Sequence, residues 1–208
     1  MRIKSVSEKP DRAARFRVEL DSGRILRLYR QTVEDFGLYP GLELSDARLE
    51  ELTEAAGKMS AKMRAVRIVS ASSVSKRDLE ERLIRKGEDP NQAKEAVQWM
   101  SDLNLVDDAQ TASQIVSRCA AKGYGLQRAK QALYEKRIPK EYWQDALADY
   151  PDQTERIIEF LHSRLGSSWE DRDLKRAIDA LLRRGHSYSE IQRALRQLQL
   201  DLEDLREE

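Results

Sequence analysis

Three segments of the chain carry one pattern: DLEERLIRKGEDPNQAKEAVQWM at residues 78–100, RAKQALYEKRIPKEYWQDALADY at residues 128–150, and RAIDALLRRGHSYSEIQRALRQL at residues 176–198. They align without a gap. A leucine recurs in all three, at Leu83, Leu133 and Leu181. Such a repeat predicts stacked copies of one supersecondary unit, an architecture that offers an extended surface to another macromolecule.

Each copy is predicted to contain three helices. Ser75 with Asp78, and Ser187 with Glu190, have the spacing of helix-capping residues, and Asp89-Pro90 is a typical helix start. The third helices share apolar residues at i, i+4 and i+7, which commits one face of each to the core. These stripes are Ala93, Val97, Met100; Trp143, Leu147, Tyr150; and Ile191, Leu195, Leu198.

The amino-terminal residues differ from the repeats. Phe16, Val18 and Leu20 alternate with polar residues, which predicts a strand with one wet face, and the turn at residues 21–23 leads into a returning strand. Ile3 and Val6 are candidates for a third strand. After Ser45, apolar residues spaced 3 and 4 apart predict a helix to about residue 70. The stripe consists of Leu49, Leu52, Ala56, Met59, Met63 and Val66.

The predicted fold class is therefore mainly α: three tandem three-helix repeats in an elongated curved array, with a small N-terminal β-hairpin subdomain. The expected domains are the hairpin subdomain at 1–44, a long helix with the first repeat at 45–106, the second repeat at 107–151, and the third repeat with an acidic tail at 152–208.

Composition restricts the function classes. The 208 residues include 37 basic and 37 acidic side chains, and this balance argues against bare DNA as the main partner. Cys119 is the single cysteine, so no disulfide forms within the chain, and we interpret it as a small residue on a buried helix face. No apolar run is long enough to span a membrane, and Met1 to Leu20 does not resemble a signal peptide. We expect a soluble, cytoplasmic protein without a membrane partner.

Residues for catalysis or metal binding are not grouped in the sequence. His162 and His186 have no cysteine or second histidine at ligand spacing, and we interpret His186 as a loop or cap residue. Lys122-Gly123-Tyr124-Gly125 is glycine-rich but follows no strand, so a helix end and turn explain it. We expect no enzyme activity, no metal and no cofactor.

Basic residues concentrate in two places. Seven basic and three acidic residues lie between Arg172 and Arg196, and a weaker cluster spans residues 128–140. Lys86, Lys136 and Arg184 end the second helices, where a cation complements the helix dipole. Solvated helix faces explain such clusters, and a contact surface for an acidic protein or nucleic acid is the alternative.

Several motifs resemble the RecX family of RecA regulators, from about residue 72 to residue 198. Residues 104–108 (NLVDD) are similar to the family's Gly-x-Leu-Asp-Asp signature, residues 122–125 (KGYG) with Arg128 and Leu133 resemble its second-repeat motif, and residues 182–187 (LRRGHS) resemble the third. The N-terminal hairpin is similar to an extension in some members. Departures include Gln110-Thr111-Ala112 for Arg-Phe-Ala, Ser72-Ser73 for an arginine pair, and Asn104 and Arg137 for glycines. Arg137 is therefore expected to adopt a left-handed conformation at a cost of about 1 kcal/mol.

The resemblance implies a non-enzymatic modulator that binds RecA, or the groove of its filament on single-stranded DNA. Such proteins limit filament growth, ATP hydrolysis, strand exchange and RecA's co-protease role, and so regulate recombination, DNA repair and the SOS response. We expect a monomer with weak direct DNA binding. The contact candidates are Lys86, Tyr124, Arg128, Lys130, Lys136, Arg137, Arg176, Arg183 and Arg184. The alternative hypothesis is a helix-turn-helix-like repeat protein that binds nucleic acid without RecA.

Overall fold

The computed structural model describes residues 1–165 and 170–207, with side chains described as far as Leu198. The chain forms two compact units, Met1–Val106 and Asp107–Glu208. The predicted mainly helical fold with a small N-terminal sheet is confirmed. The described helices are α1 Arg30–Asp35, α2 Asp46–Ala71, α3 Lys76–Arg85, α4 Pro90–Asp102, α5 Asp108–Ala121, α6 Leu126–Glu135, α7 Trp143–Leu147, α8 Thr154–Leu165, α9 Asp171–Arg183 and α10 Tyr188–Glu207.

The N-terminal sheet has three antiparallel strands in the order β1-β2-β3, so the third strand proposed at Ile3 and Val6 is present. The strands are β1 Ile3–Val6, β2 Arg15–Leu20 and β3 Ile25–Tyr29. Phe16, Val18 and Leu20 are buried, as their alternation with polar residues predicts. The sheet packs against α2, where Arg67 donates hydrogen bonds to the Ala13 carbonyl (2.9 Å) and the Tyr29 hydroxyl (3.1 Å).

Helix α2 serves two cores, which corrects the single stripe inferred from the sequence. Leu49 and Leu52 belong to the core under the sheet, whereas Ala61 and Ala65 are fully buried in the core of the first repeat. The nine residues from Leu52 to Ala61 turn the helix by about 180°, so the two cores lie on opposite sides of it. Met59, in the predicted stripe, is consequently only half-buried.

Side chains cap several helices where the sequence predicts them. The Ser75 hydroxyl accepts from the Asp78 amide, and the Asp89 carboxylate accepts from the amides of Asn91 and Gln92. Ser187 and Glu190 form a reciprocal capping box: the Glu190 amide donates to the Ser187 hydroxyl, and the Glu190 carboxylate accepts from the Ser187 amide.

The third helix of the second repeat is shorter than its stripe predicts. A 3-10 turn at Lys140–Tyr142 leads into α7, which ends at Leu147, so Tyr150 lies beyond the helix. Pro139 contributes no capping side chain, and Pro151 disfavours a helical conformation at the residue before it. Trp143 and Leu147 still pack against the core of this repeat.

The three second helices end alike. Lys86, Lys136 and Arg184 are the C-cap residues of α3, α6 and α9. The residues after them have positive φ: 90° at Gly87, 57° at Arg137 and 88° at Gly185. The left-handed conformation expected for Arg137 is confirmed.

Each of these ends is a Schellman motif, since the second amide after the cap donates to the carbonyl of the recurring leucine. The three bonds run from Glu88 to Leu83 (3.2 Å), from Ile138 to Leu133 (3.0 Å) and from His186 to Leu181 (3.2 Å).

Candidate partner-binding surface

The second and third repeats meet backbone to backbone. The Gly125 amide donates to the Arg184 carbonyl (3.0 Å), and the Gln127 amide donates to the Gly185 carbonyl (3.1 Å). A Cβ at Gly125 would overlap the Gly185 carbonyl, and one at Gly185 would overlap the Arg128 amide. The turn after α5 and the cap of α9 therefore approach closely because both carry glycine. Gly125 is also the N-cap residue of α6, so the glycine-rich segment is more than the helix end and turn inferred from the sequence.

Arg184 lies beside this contact, between two aromatic rings. The carbon of its guanidinium is 5.6 Å from the ring centroid of Tyr124 and 5.1 Å from that of Phe160. Its Nη2 donates to the Lys122 carbonyl at 3.3 Å. These contacts fix a cation over two ring faces, each an attractive electrostatic interaction.

Other arginines surround Arg184 in an open cavity of about 340 Å³. Its lining, which we call the junction groove, consists of Tyr124, Arg128, Phe160, Arg164, Ala180, Arg183 and Arg184. Among these described lining residues there are four arginines and no carboxylate. Arg128 is partly neutralised because its Nη1 lies 3.0 Å from Glu135 Oε1. The junction groove can therefore hold an anionic group beside aromatic surface.

An adjoining cavity continues the arginine-rich surface along α8 and α9. Phe160, Arg164 and Arg183 line it together with Arg176. Asp173 also lines it and pairs with Arg176 at 3.1 Å, so the positive charge is weaker here.

A half-buried tyrosine and a buried histidine hydrogen-bond to backbone carbonyls at the junction. The Tyr150 hydroxyl donates to the Tyr124 carbonyl at 2.8 Å, and burial raises the pKa of Tyr150 to about 12, so the phenol stays a donor. The buried His186 ring, which the sequence only places in a loop or cap, bonds through Nε2 to the Gly123 carbonyl at 3.1 Å. A carbonyl only accepts, so Nε2 carries the proton. Burial lowers the pKa of His186, which keeps the ring neutral.

The contact candidates divide by location. Tyr124, Arg128, Arg183 and Arg184 line the junction groove, and Arg176 lines the adjoining cavity. Lys130, Lys136 and Arg137 lie on α6 and its cap, outside both linings, and Lys86 caps α3 in the other unit.

Phe160 and Arg164 were not predicted from the sequence. The signal was an apolar residue in α8 outside the buried positions Ile157, Leu161 and Leu165, followed four residues later by an arginine. Arg164 lies 5.5 Å from the Phe160 ring centroid, as that spacing allows.

The described residues offer little for other kinds of site. In this part of the chain no cluster of histidine, cysteine and carboxylate side chains could hold a metal ion. None of the described helices is long and apolar enough to cross a bilayer. Cys119 is buried, as expected, and burial raises the pKa of its thiol.

Three-helix repeats that carry a cationic groove place this chain in the class of helical-repeat proteins. The model of the second three-helix domain of RecX matches residues 107–147. The regulatory protein RecX of Xanthomonas oryzae pv. oryzae (strain PXO99A) is 30% identical over 145 residues, which are 68% of this chain and 87% of that protein. The chain belongs to the RecX family of regulatory proteins.

Other comparisons agree. The regulatory protein RecX of Clostridioides difficile (strain 630) is 25% identical over 154 residues, 74% of this chain and 72% of that protein. A crystal structure of regulatory protein RecX has a TM-score of 0.63 at 21% identity, covering 92% of this chain and 97% of its own. The RecX structure from Lactobacillus salivarius has a TM-score of 0.61 at 23% identity, and the match covers 70% of this chain and 99% of that chain. At these identities the two structures support the fold.

Proposed function

We propose that this chain is a non-enzymatic modulator of the RecA recombinase. It binds RecA, or the groove of the RecA filament on single-stranded DNA, and limits filament growth, ATP hydrolysis, strand exchange and co-protease activity. Membership of the RecX family supports the partner. A monomer in the cytoplasm, with only weak affinity for free DNA, remains our expectation.

The observation that carries the proposal is the junction groove. Four arginine side chains and two aromatic rings line it, and it lies where the second repeat is hydrogen-bonded to the third. Arginine and aromatic side chains are the residues that most often anchor protein interfaces. The protein as a whole has no excess of positive charge, so this local concentration suits a protein surface that carries carboxylates or bound phosphates better than bare DNA.

The experiment is a titration of the purified protein into RecA assembled on single-stranded DNA. We expect ATP hydrolysis and strand exchange to fall at protein concentrations well below that of RecA. Arg183→Glu should raise the concentration for half-inhibition about tenfold or more, since it reverses one charge in the groove. Arg24→Glu, in the exposed turn of the N-terminal hairpin, makes the same charge change elsewhere and should leave inhibition unchanged.

Two outcomes would contradict the proposal. A chain that leaves both RecA activities unchanged at equimolar concentration is not a RecA modulator. Tight binding to DNA without RecA, falling steeply with salt concentration, would instead favour the helix-turn-helix-like alternative.

A further inference from the structure

The penultimate residues of the three second helices are large, apolar and exposed. They are Ile84 in α3, Tyr134 in α6 and Leu182 in α9, with exposed fractions of 39%, 68% and 43%. Each directly follows the recurring buried leucine, so the three residues occupy one repeat position. Single exposed apolar residues are common on protein surfaces, but the same exposure at every copy of a repeat position is a pattern.

The folding of the helix ends does not require these side chains. In a Schellman motif the apolar contact joins the third residue from the helix end to the second residue after the cap. Here the third residue from the helix end is the recurring leucine, Leu83, Leu133 or Leu181, and each is essentially fully buried. The penultimate residue contributes only its carbonyl, which accepts from the amide of Gly87, Arg137 or Gly185. Any residue would supply that carbonyl.

Positively charged residues also lie close in sequence to each of the three side chains. Two of the three residues that follow each one are cations: Arg85 and Lys86, Lys136 and Arg137, and Arg183 and Arg184. The remaining residue is a glycine in the first and third repeats. In the second repeat it is Glu135, whose carboxylate accepts from Arg128 and Gln131. In the first and third repeats a carboxylate lies one helical turn before the apolar residue, at Glu81, which pairs with Arg77 at 3.4 Å, and at Asp179. Each copy therefore presents an apolar side chain with two cations and one carboxylate nearby, a net positive charge.

We propose that this element, an exposed apolar residue with two cations among the next three residues, is a docking element that each repeat presents to a segment of the partner protein. Charge complementarity sets the chemistry of that segment: an apolar side chain accompanied by carboxylates. We call the three exposed apolar residues, Ile84, Tyr134 and Leu182, the anchors. Ile84 and Leu182 are aliphatic and offer no ring on which a base could stack, so a polypeptide fits better than a nucleic acid. The inference rests on the proposed function, because it takes RecA as the partner.

The test compares matched serine variants of the full chain. Ile84→Ser, Tyr134→Ser and Leu182→Ser remove the anchors singly and together. Ile25→Ser, Tyr188→Ser and Leu103→Ser are the controls, since these residues are exposed by 46%, 59% and 49% but do not occupy a repeat position that is apolar in every copy. Circular dichroism and the urea midpoint of each variant establish that it is folded. The readout is the concentration that halves RecA ATP hydrolysis on single-stranded DNA.

We expect each anchor variant to raise that concentration about fivefold and the triple variant more than fiftyfold, while the controls stay within twofold of the wild type. Anchor variants that inhibit like the controls would overturn the docking element and leave the proposed function intact. A wild-type chain without effect on RecA would overturn both. Loss of binding to free single-stranded DNA with unchanged inhibition would assign the anchors to a nucleic acid and also overturn the inference.

Discussion

At the residue scale, two glycines with the same backbone conformation have different surroundings. Comparing alanine substitutions at the two positions therefore separates the cost of backbone strain from the cost of steric overlap. Gly185 and Gly87 have φ values of 88° and 90°. A Cβ at Gly87 would meet no atom within 4 Å, whereas one at Gly185 would overlap the Arg128 amide. Gly87→Ala should therefore lose only about 1 kcal/mol of unfolding free energy from the left-handed conformation. Gly185→Ala should lose about 1–3 kcal/mol more from overlap.

Urea unfolding followed by circular dichroism measures both losses. Gly125→Ala serves as the complementary control because φ at Gly125 is −77°, a conformation that alanine adopts without strain. Its loss would come from overlap with the Gly185 carbonyl alone. A Gly185→Ala variant as stable as Gly87→Ala would show that the two repeats do not approach as closely as described.

His186 makes the stability of the junction depend on pH. Burial lowers the pKa of the folded-state ring below its ordinary value of 6.5, so the unfolded chain binds the proton more readily. The stabilisation is complete above about pH 6.5 and is lost as the pH falls toward the lowered pKa. Protonation would put a second N–H on Nδ1, which has no hydrogen-bond partner among the described residues.

We expect the thermal midpoint of unfolding to decrease when the pH is lowered from 7.5 to 5.5. The decrease should be smaller in His186→Gln. The matched control is His162→Gln, because His162 is exposed on α8. Equal pH dependence in the wild type and in His186→Gln would contradict the assignment to His186.

At the scale of the element, helix α2 buries residues on two opposite faces. The stability losses expected from this arrangement have the reverse order of those that the sequence alone predicts. The stripe inferred from spacing includes Met59 and omits Ala61, but Ala61 is fully buried and Met59 half-buried. Ala61→Leu should overpack the first-repeat core and cost about 1–3 kcal/mol. Met59→Ala should cost less, since part of its side chain stays in water. Chemical denaturation of the two variants checks the order, and a stabilising Ala61→Leu would contradict it.

Other elements show what the sequence predicts and what it does not. The helix starts were predictable because Ser75, Asp89 and the Ser187–Glu190 pair hydrogen-bond to backbone amides only two or three residues away. Contacts distant in sequence left no local signal: the bond from Tyr150 to the Tyr124 carbonyl spans 26 residues, and that from His186 to Gly123 spans 63. The basic clusters therefore indicated three arginines of the junction groove and the glycine-rich motif indicated Tyr124, whereas Phe160 and Arg164 emerged only from packing.

At the scale of the whole molecule, each compact unit contains complete cores of its own. Met1–Val106 holds the core under the sheet and the core of the first repeat, and Asp107–Glu208 holds the cores of the second and third repeats. None of these clusters of buried residues draws on both units. A chain segment that buries its own core folds as a domain.

We therefore predict that residues 1–106 and residues 107–208, expressed separately, each fold with helical circular dichroism and a cooperative thermal transition. A cut at residue 151 divides the hydrogen bonds that join Gly125 and Gln127 to the α9 cap, and it exposes the Tyr124–Arg184–Phe160 contacts. Residues 107–151 should accordingly be far less stable than residues 107–208, which supplies the matched control. A 107–208 fragment without a cooperative transition, or a 107–151 fragment of equal stability, would show that the cores do not define the folding units.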